Sequence, residues 1–135
     1  IIHLGDCWAD AEQLHRKFPM TVMEQVPGNC DCRQEVQERI LLIEGKKILI
    51  CHGHTFNVKA GYLNLEYAAE ERKVDAALFG HTTGFFYDKH NRITYMNPGS
   101  IGQPPYGIPP SYGVLQVDGS SNTIATDVIY LEENN

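Results

Sequence analysis

Four short motifs carry polar side chains of the types that bind metal ions. The candidate ligands are one aspartate, one asparagine and two histidines, Asp6, Asn29, His52 and His81. Carboxylate and amide oxygens combined with imidazole nitrogens suit a borderline or hard divalent cation. Each motif closes an apolar run, and the motifs are His3-Leu4-Gly5-Asp6, Gly28-Asn29-Cys30-Asp31, His52-Gly53-His54 and Gly80-His81-Thr82-Thr83. The sequence therefore predicts a metal site on the rim where several strands end.

The segments between these motifs predict strands and helices early in the chain and hairpins later. Ala11, Leu14 and Phe18 share one face at helical spacing, and Pro19 ends that helix. The predicted helices cover 10–17 and 64–73, and the predicted strands cover 1–4, 21–26, 38–43, 47–51, 76–79, 85–87, 93–96, 112–117 and 123–130. Four prolines between 103 and 111 predict a surface loop. The expected fold is one layered α/β domain over residues 1–135, with the site at its strand ends.

Composition limits the class of protein. A chain of 135 residues with 42% hydrophobic and 21% charged residues is typical of a globular domain. The net charge of −6 argues against nucleic-acid binding, because such binding depends on Lys and Arg neutralising phosphates. No apolar run approaches the length of a membrane span, and no segment reads as a secretion signal. We therefore expect no membrane association and a cytoplasmic location.

The four cysteines do not have the paired spacing of a structural zinc module. Cys7, Cys30 and Cys51 each lie next to a candidate ligand, and Cys32 forms a C-x-C pair with Cys30. Free cysteine is among the most buried residue types, so we expect these residues to pack under the strand ends. A thiolate ligand is the second interpretation.

The ordered motifs resemble the calcineurin-like metallophosphoesterase superfamily, and within it the small bacterial and archaeal phosphodiesterases of the YfcE-like family. The resemblance covers nearly the whole chain. The motifs match, in order, the family's G-D, G-N, H-G-H, G-H and N-P-G-S blocks, the last at Asn97-Pro98-Gly99-Ser100. Each block is weak alone, and five in the correct order are specific.

The resemblance implies a four-layer α/β/β/α sandwich with two divalent metals bridged by an aspartate and a hydroxide. It implies Mn²⁺, with Zn²⁺, Ni²⁺ or Fe²⁺ as alternatives. Asp6 would bridge the metals, and Asn29, His52 and His81 would complete the ligands of the second metal. His54 would act beside the phosphate as the catalytic group, and the substrate would contact Asn29, Cys30 and His54. Cys30 stands where many relatives have a histidine.

Two departures from the family pattern concern the first metal. The family's initial D-x-H strand is absent from this chain, and that strand with its helix would need roughly thirty residues before Ile1. The expectation is therefore an N-terminally incomplete sandwich, in which strand 1–4 lacks a parallel neighbour and exposes an edge. Such an edge favours a homo-oligomer. Separately, Thr83 replaces the family's last histidine.

Two functions remain open at this point. The first is a metal-dependent phosphoesterase that hydrolyses small phosphodiesters through a metal-bound hydroxide. The second is a catalytically degenerate scaffold that uses the same fold for protein interaction, as the retromer subunit of the superfamily is thought to do. Cys30 and Thr83 favour the second function, and the ordered candidate ligands favour the first.

Overall fold

A computed structural model describes residues 1–82 and 84–132. Within these residues, two α-helices and a short 3-10 helix (His54–Phe56) are interspersed among the strands. The helices are α1 (Trp8–Lys17) and α2 (Leu63–Glu71). The strands are β1 (Ile2–His3), β2 (Glu24–Gln25), β3 (Glu38–Ile43), β4 (Lys46–Cys51), β5 (Ala76–Leu78), β6 (Phe86–His90), β7 (Ile93–Asn97), β8 (Ser111–Asp118) and β9 (Thr123–Tyr130). None of the helices in the described ranges is long and apolar enough to cross a membrane.

The largest sheet has the strand order β3-β4-β5-β7-β6. Its inner pairs β4-β5 and β5-β7 are parallel, and its outer pairs β3-β4 and β6-β7 are antiparallel hairpins. Strands β4, β5 and β7 therefore point their carboxyl ends to one rim. Strands buried on both faces read as continuous apolar runs, which explains the composition of β4 and β5.

Side-chain alternation divides the core into two layers, one on each face of this sheet. Leu49, Cys51, Ala77 and Phe79 point to one face, where helix α2 contributes Leu65 and other side chains. The other face carries Ile48, Ile50, Ala76, Leu78 and Met96. It is covered by side chains from β1, β8, β9 and the residues just after β1 and β2, namely Ile2, Leu4, Val26, Leu115, Val117 and Ile124. The pairs β1-β2 and β8-β9 thus form a second β layer.

Helix α1 lies beside β2 on the outside of this second layer. A groove of about 330 Å³ between the two elements is lined by Glu12, His15, Arg16, Met23 and Gln25. The order of layers is α2, the five-stranded sheet, the second β layer and α1. The predicted α/β/β/α sandwich is confirmed.

Several local predictions were wrong in extent. The strand expected over 1–4 contains only two residues, and the strand expected over 21–26 only two. Ile2 pairs with Glu24 in a parallel ladder, so β1 does have a parallel neighbour along one edge. In helix α1 only Ala11 is buried, whereas Phe18 is 55% exposed. Helical spacing located this face correctly and overstated how much of it packs.

The second hairpin was also predicted with too long a connection. Residues Asp88 to His90 belong to β6, and the turn consists of Asn91 and Arg92, both with positive φ. Turn residues in this conformation match the twist of a tight hairpin. The polar composition of the segment hid its pairing, because β6 is an edge strand whose side chains are mostly exposed.

Candidate metal centre

The candidate site lies where the loops after β1, β2, β4 and β5 meet. His52 follows β4 directly and is 4% exposed. Its Nδ1 lies 2.8 Å from the carbonyl oxygen of Leu4, to which it donates a hydrogen bond. This bond fixes the tautomer, so that Nε2 carries a lone pair directed into the site. Gly5 has φ +109° and no room for a Cβ beside the His52 ring.

Asp6, His52 and His81 direct potential ligand atoms toward one another. Asp6 Oδ2 lies 3.4 Å from His52 Nε2, and His81 Nδ1 lies 3.1 Å from the same nitrogen. Two ligands about 2.1 Å from one ion, at angles between octahedral and tetrahedral, would be about 3.0–3.4 Å apart. Because Asp6 Oδ2 and His52 Nε2 are both acceptors in this tautomer, a cation between them would satisfy both.

Two pairs of candidate ligand atoms have the spacing of ligands to one ion, Asp6 Oδ2 with His52 Nε2 and His81 Nδ1 with His52 Nε2. Within residues 1–82 and 84–132, no group of three or more His, Cys, Asp or Glu side chains is arranged to hold one. Asn29 could supply a further oxygen, since it is exposed on the turn that follows Gly28. The donor set therefore fits a divalent cation by chemistry and by pairwise spacing.

The Asp6 loop has an unusual backbone. Asp6 and Cys7 have φ values of 65° and 53°, in the left-handed region that non-glycine residues rarely adopt. The other carboxylate oxygen of Asp6, Oδ1, accepts a hydrogen bond of 3.0 Å from the backbone N–H of Cys30. A Cβ on Gly28 would overlap Asp6 Oδ1. The glycine of the second motif is thus required by close contact with the aspartate of the first.

Asp31 holds these two loops together. Its carboxylate accepts backbone hydrogen bonds from Asp6 at 2.8 Å, Gly28 at 2.7 Å and Trp8 at 3.0 Å. Burial opposes ionisation of Asp31, but these three N–H groups outweigh it and hold its pKa below the usual value. Asp31 therefore supports the site through backbone contacts and is not one of the candidate ligands. Its position two residues after Asn29 was the only sequence signal.

His54 begins the short 3-10 helix and faces the other two imidazoles. Its ring centroid is 5.4 Å from that of His52 and 6.1 Å from that of His81. His54 Nδ1 is buried and has no hydrogen-bond partner among the residues that the structure describes. Burial, with a smaller contribution from His52, lowers the pKa of His54, and burial followed by the charges of His52, Lys59 and His54 lowers the pKa of His81. Neutral imidazoles are the form that binds metals.

The cysteines differ from the prediction that they are buried. Cys7, Cys30 and Cys32 are exposed, and only Cys51 is buried. The charge of Asp6, followed by desolvation and a hydrogen bond to Asp6, raises the pKa of the Cys30 thiol. Burial raises the pKa of Cys51 to about 12. In the absence of a metal, neither thiol therefore favours the thiolate form.

Sequence reasoning also missed Asn97, which contacts the His81 loop. Asn97 is completely buried. Its amide nitrogen donates to both the carbonyl oxygen and the hydroxyl of Thr82. From the sequence, Asn97 was identified only as part of the N-P-G-S block and was given no role at the site. Thr83, the position of the other family departure, lies outside the described residues.

Comparison with known proteins identifies the family to which the chain belongs. A family model described as a calcineurin-like phosphoesterase superfamily domain matches residues 1–120. The chain is 34% identical to a protein of Bacillus subtilis named a probable metallophosphoesterase, YsnB, over 92% of this chain and 72% of that protein. It is 29% identical to the phosphodiesterase YfcE of Escherichia coli over 84% of this chain, which spans 50% of YfcE.

Solved structures share the fold. An uncharacterized protein of Streptococcus pneumoniae, described as a predicted phosphoesterase, superposes with a TM-score of 0.79 at 22% identity, over 96% of this chain and 88% of that one. Vps29 of Entamoeba histolytica in complex with Zn²⁺ superposes with a TM-score of 0.71 at 19% identity, over 96% of this chain and 82% of Vps29. The resemblance inferred from the motifs is confirmed. By sequence and by fold, the chain belongs to the calcineurin-like phosphoesterase superfamily.

Proposed function

We propose that this protein is a divalent-metal-dependent phosphoesterase that hydrolyses small phosphodiesters. The observation that carries the proposal is the convergence of Asp6 Oδ2 and His81 Nδ1 on His52 Nε2, at 3.4 Å and 3.1 Å. Asp6, His52 and His81 would hold the ion together with the amide oxygen of Asn29. A bound divalent cation supplies two things, a more acidic water and compensation of phosphate charge.

The remaining site residues would act on the phosphodiester. His54 is half-buried beside the ligand imidazoles, so it is positioned to contact a phosphate oxygen and to pass a proton to the leaving group. Its lowered pKa favours the neutral imidazole, so His54 would first have to take up a proton from solvent, which the negative charge of a bound phosphodiester would favour. Asn29 and the Cys30 thiol are exposed at the same rim and would contact the substrate.

Mn²⁺ is the proposed ion, and Zn²⁺, Ni²⁺ and Fe²⁺ are alternatives that the mixed oxygen and nitrogen donor set also suits. The fit to a family of phosphoesterases supports a small phosphodiester as substrate. We further propose that the protein is cytoplasmic and forms a homo-oligomer. It would bind neither membranes nor nucleic acids. The chain spans about half the length of YfcE. Activity, substrate, location and assembly are therefore all proposals for this protein.

The decisive experiment measures hydrolysis of bis(p-nitrophenyl) phosphate by protein stripped with EDTA and then reloaded with Mn²⁺. We expect turnover only after reloading, and a loss of at least about a hundredfold in His81→Ala. His15→Ala is the matched control, because His15 is an exposed histidine on α1 away from the site. Absence of Mn²⁺ binding and of stimulated turnover in the wild type would contradict the proposal.

A second candidate function is a non-catalytic scaffold of the same fold. The exposed Cys30, with a thiol of raised pKa where many relatives carry a histidine, favours it. A scaffold would form a stoichiometric complex with another protein and show no metal-stimulated turnover. Cys30→His separates the two functions: we expect it to raise turnover if the site is catalytic and to change nothing if it is not.

A further inference from the structure

A residue outside the four ligand motifs contacts the loop that carries His81. His81 has φ 67°, in the left-handed region that non-glycine residues rarely adopt. Such a backbone persists only where surrounding contacts determine it. On the upstream side, the N–H of Gly80 donates to the carbonyl oxygen of His52 at 2.8 Å. On the downstream side, the N–H of Thr82 donates to the carbonyl oxygen of Gly80 at 2.8 Å, and a side chain from a distant strand contacts Thr82 as well.

Asn97 at the end of β7 provides that downstream contact. Its amide nitrogen donates to the carbonyl oxygen and to the hydroxyl of Thr82, the residue after His81. Its amide oxygen accepts a 3.0 Å hydrogen bond from the N–H of Gly99. Asn97 is 0% exposed, so both ends of its amide group are used inside the protein.

The turn that carries Asn97 is itself attached to strand β8. The hydroxyl of Ser111 donates to the carbonyl oxygen of Pro98 at 2.8 Å, and the N–H of Ser111 donates to the carbonyl oxygen of Ser100 at 3.0 Å. These bonds hold the turn without contacting the His81 loop. They therefore provide a matched control from the same region.

We propose that Asn97 is the positioning residue of the metal centre, acting through Thr82 to hold His81 Nδ1 toward His52 Nε2. This inference rests on the proposed function, because it gives His81 the role of a ligand. Outer partners that orient a metal ligand typically change metal affinity by about 10–100-fold when they are removed. A residue that only supported the turn would change stability and leave the affinity unaltered.

The test compares Mn²⁺ affinity, by isothermal titration calorimetry, in the wild type and three variants. Asn97→Asp exchanges the amide donor for an acceptor at nearly constant shape, and we expect the dissociation constant to rise about 10–100-fold. Thr82→Val removes the hydroxyl acceptor alone, and we expect a smaller rise. Ser111→Ala should lower the melting temperature while the dissociation constant stays within about twofold of the wild type.

Two results would overturn the assignment. One is a folded Asn97→Asp with wild-type affinity, or the same result in Thr82→Val if Asn97→Asp does not fold. The other is a Ser111→Ala variant that loses as much affinity as Asn97→Asp.

A separate readout distinguishes failure of the metal proposal from failure of this one. If the wild type binds no Mn²⁺, the proposed function fails, and the ring ¹⁵N signals of His81 and His52 in the metal-free protein still report on Asn97. We expect Asn97→Asp to shift the His81 signals and to leave those of the exposed His15 unchanged. Unaltered His81 signals in a folded Asn97→Asp would contradict the positioning role.

Discussion

The two halves of the candidate site are supported by strands of different length and burial. We call His52 and His81 the imidazole half and Asp6 and Asn29 the oxygen half. The imidazole half follows β4 and β5, whose apolar residues are almost completely buried. The oxygen half follows β1 and β2, which have two residues each. One half extends from the centre of the core, and the other from a short parallel pair beside it.

This difference shows that apolar packing stabilises mainly one half of the centre and polar contacts mainly the other. The imidazole half is held by apolar burial, helped by backbone bonds and by Asn97. The oxygen half has left-handed backbone at Asp6 and Cys7, and the three backbone bonds to Asp31 tie its loops together. Loss of apolar contacts should therefore damage the first half, and loss of one carboxylate the second.

The largest effect is expected from Phe79→Ala, which removes core support beneath the imidazole half. Phe79 is 0% exposed, and its ring centroid lies 5.3 Å from that of Tyr62 and 6.1 Å from that of Phe86. The free energy of unfolding should fall by about 3–5 kcal/mol, measured by urea denaturation. Ile2→Ala, beneath the oxygen half, should cost less, about 1–2 kcal/mol. Equal losses in the two variants would contradict the comparison.

Asp31→Asn should have the next largest effect, because it weakens acceptance of three backbone hydrogen bonds. Unfolding at neutral pH should become about 1–3 kcal/mol easier. The exposed Asp127, whose carboxylate accepts a hydrogen bond from the adjacent N–H of Val128, provides the control, and Asp127→Asn should stay within about 0.5 kcal/mol of the wild type. The oxygen half would prove to be held by packing if the two variants were equally stable.

A smaller effect is expected on the stability of the protein at acid pH, through the charge of Asp31. Because the folded protein holds the pKa of Asp31 below its ordinary value of 3.8, the stability that its charge contributes is complete above that pH. This contribution is lost as the pH falls further, through the folded-state pKa. The stability difference between the wild type and Asp31→Asn should thus narrow below pH 3.8 in a denaturation series. A constant difference down to strong acid would assign the effect to something other than the charge.

The smallest effect is expected at Cys30. Its side chain is exposed, and the bond to Asp6 Oδ1 comes from its backbone N–H, so Cys30→Ser should change stability by less than about 0.5 kcal/mol. Titration with Ellman's reagent checks the exposure directly. The folded wild type should react at the exposed Cys7, Cys30 and Cys32, and at Cys51 only after unfolding. The raised pKa of Cys30 should slow its reaction, because the thiolate is the reacting form. Cys30→Ser should remove one of the three thiols that react in the folded protein, and loss of any other number would contradict the placement of these cysteines.

Prediction from the sequence succeeded where a pattern repeats over several residues. The apolar runs of β4 and β5 and the spacing of α2 located these elements to within one or two residues. It failed where a contact between distant segments decides the outcome. The exposure of Cys7, Cys30 and Cys32 is an example, because burial depends on what lies opposite a residue and not on its type alone.

The sequence by itself provided the ordered motifs, whose resemblance to a family implied the layer order and the candidate ligands. Those are properties of residue types and of their sequence along the chain. Only the tertiary structure decided which nitrogen of His52 faces Asp6. It also decided that Asp31 bonds the backbone of Asp6, 25 residues earlier in the chain, and that Asn97 contacts the loop of His81. A hydrogen bond forms only when the donor–acceptor distance is correct to within a few tenths of an ångström and the direction is suitable. Those distances exist only once the strands have brought their ends together.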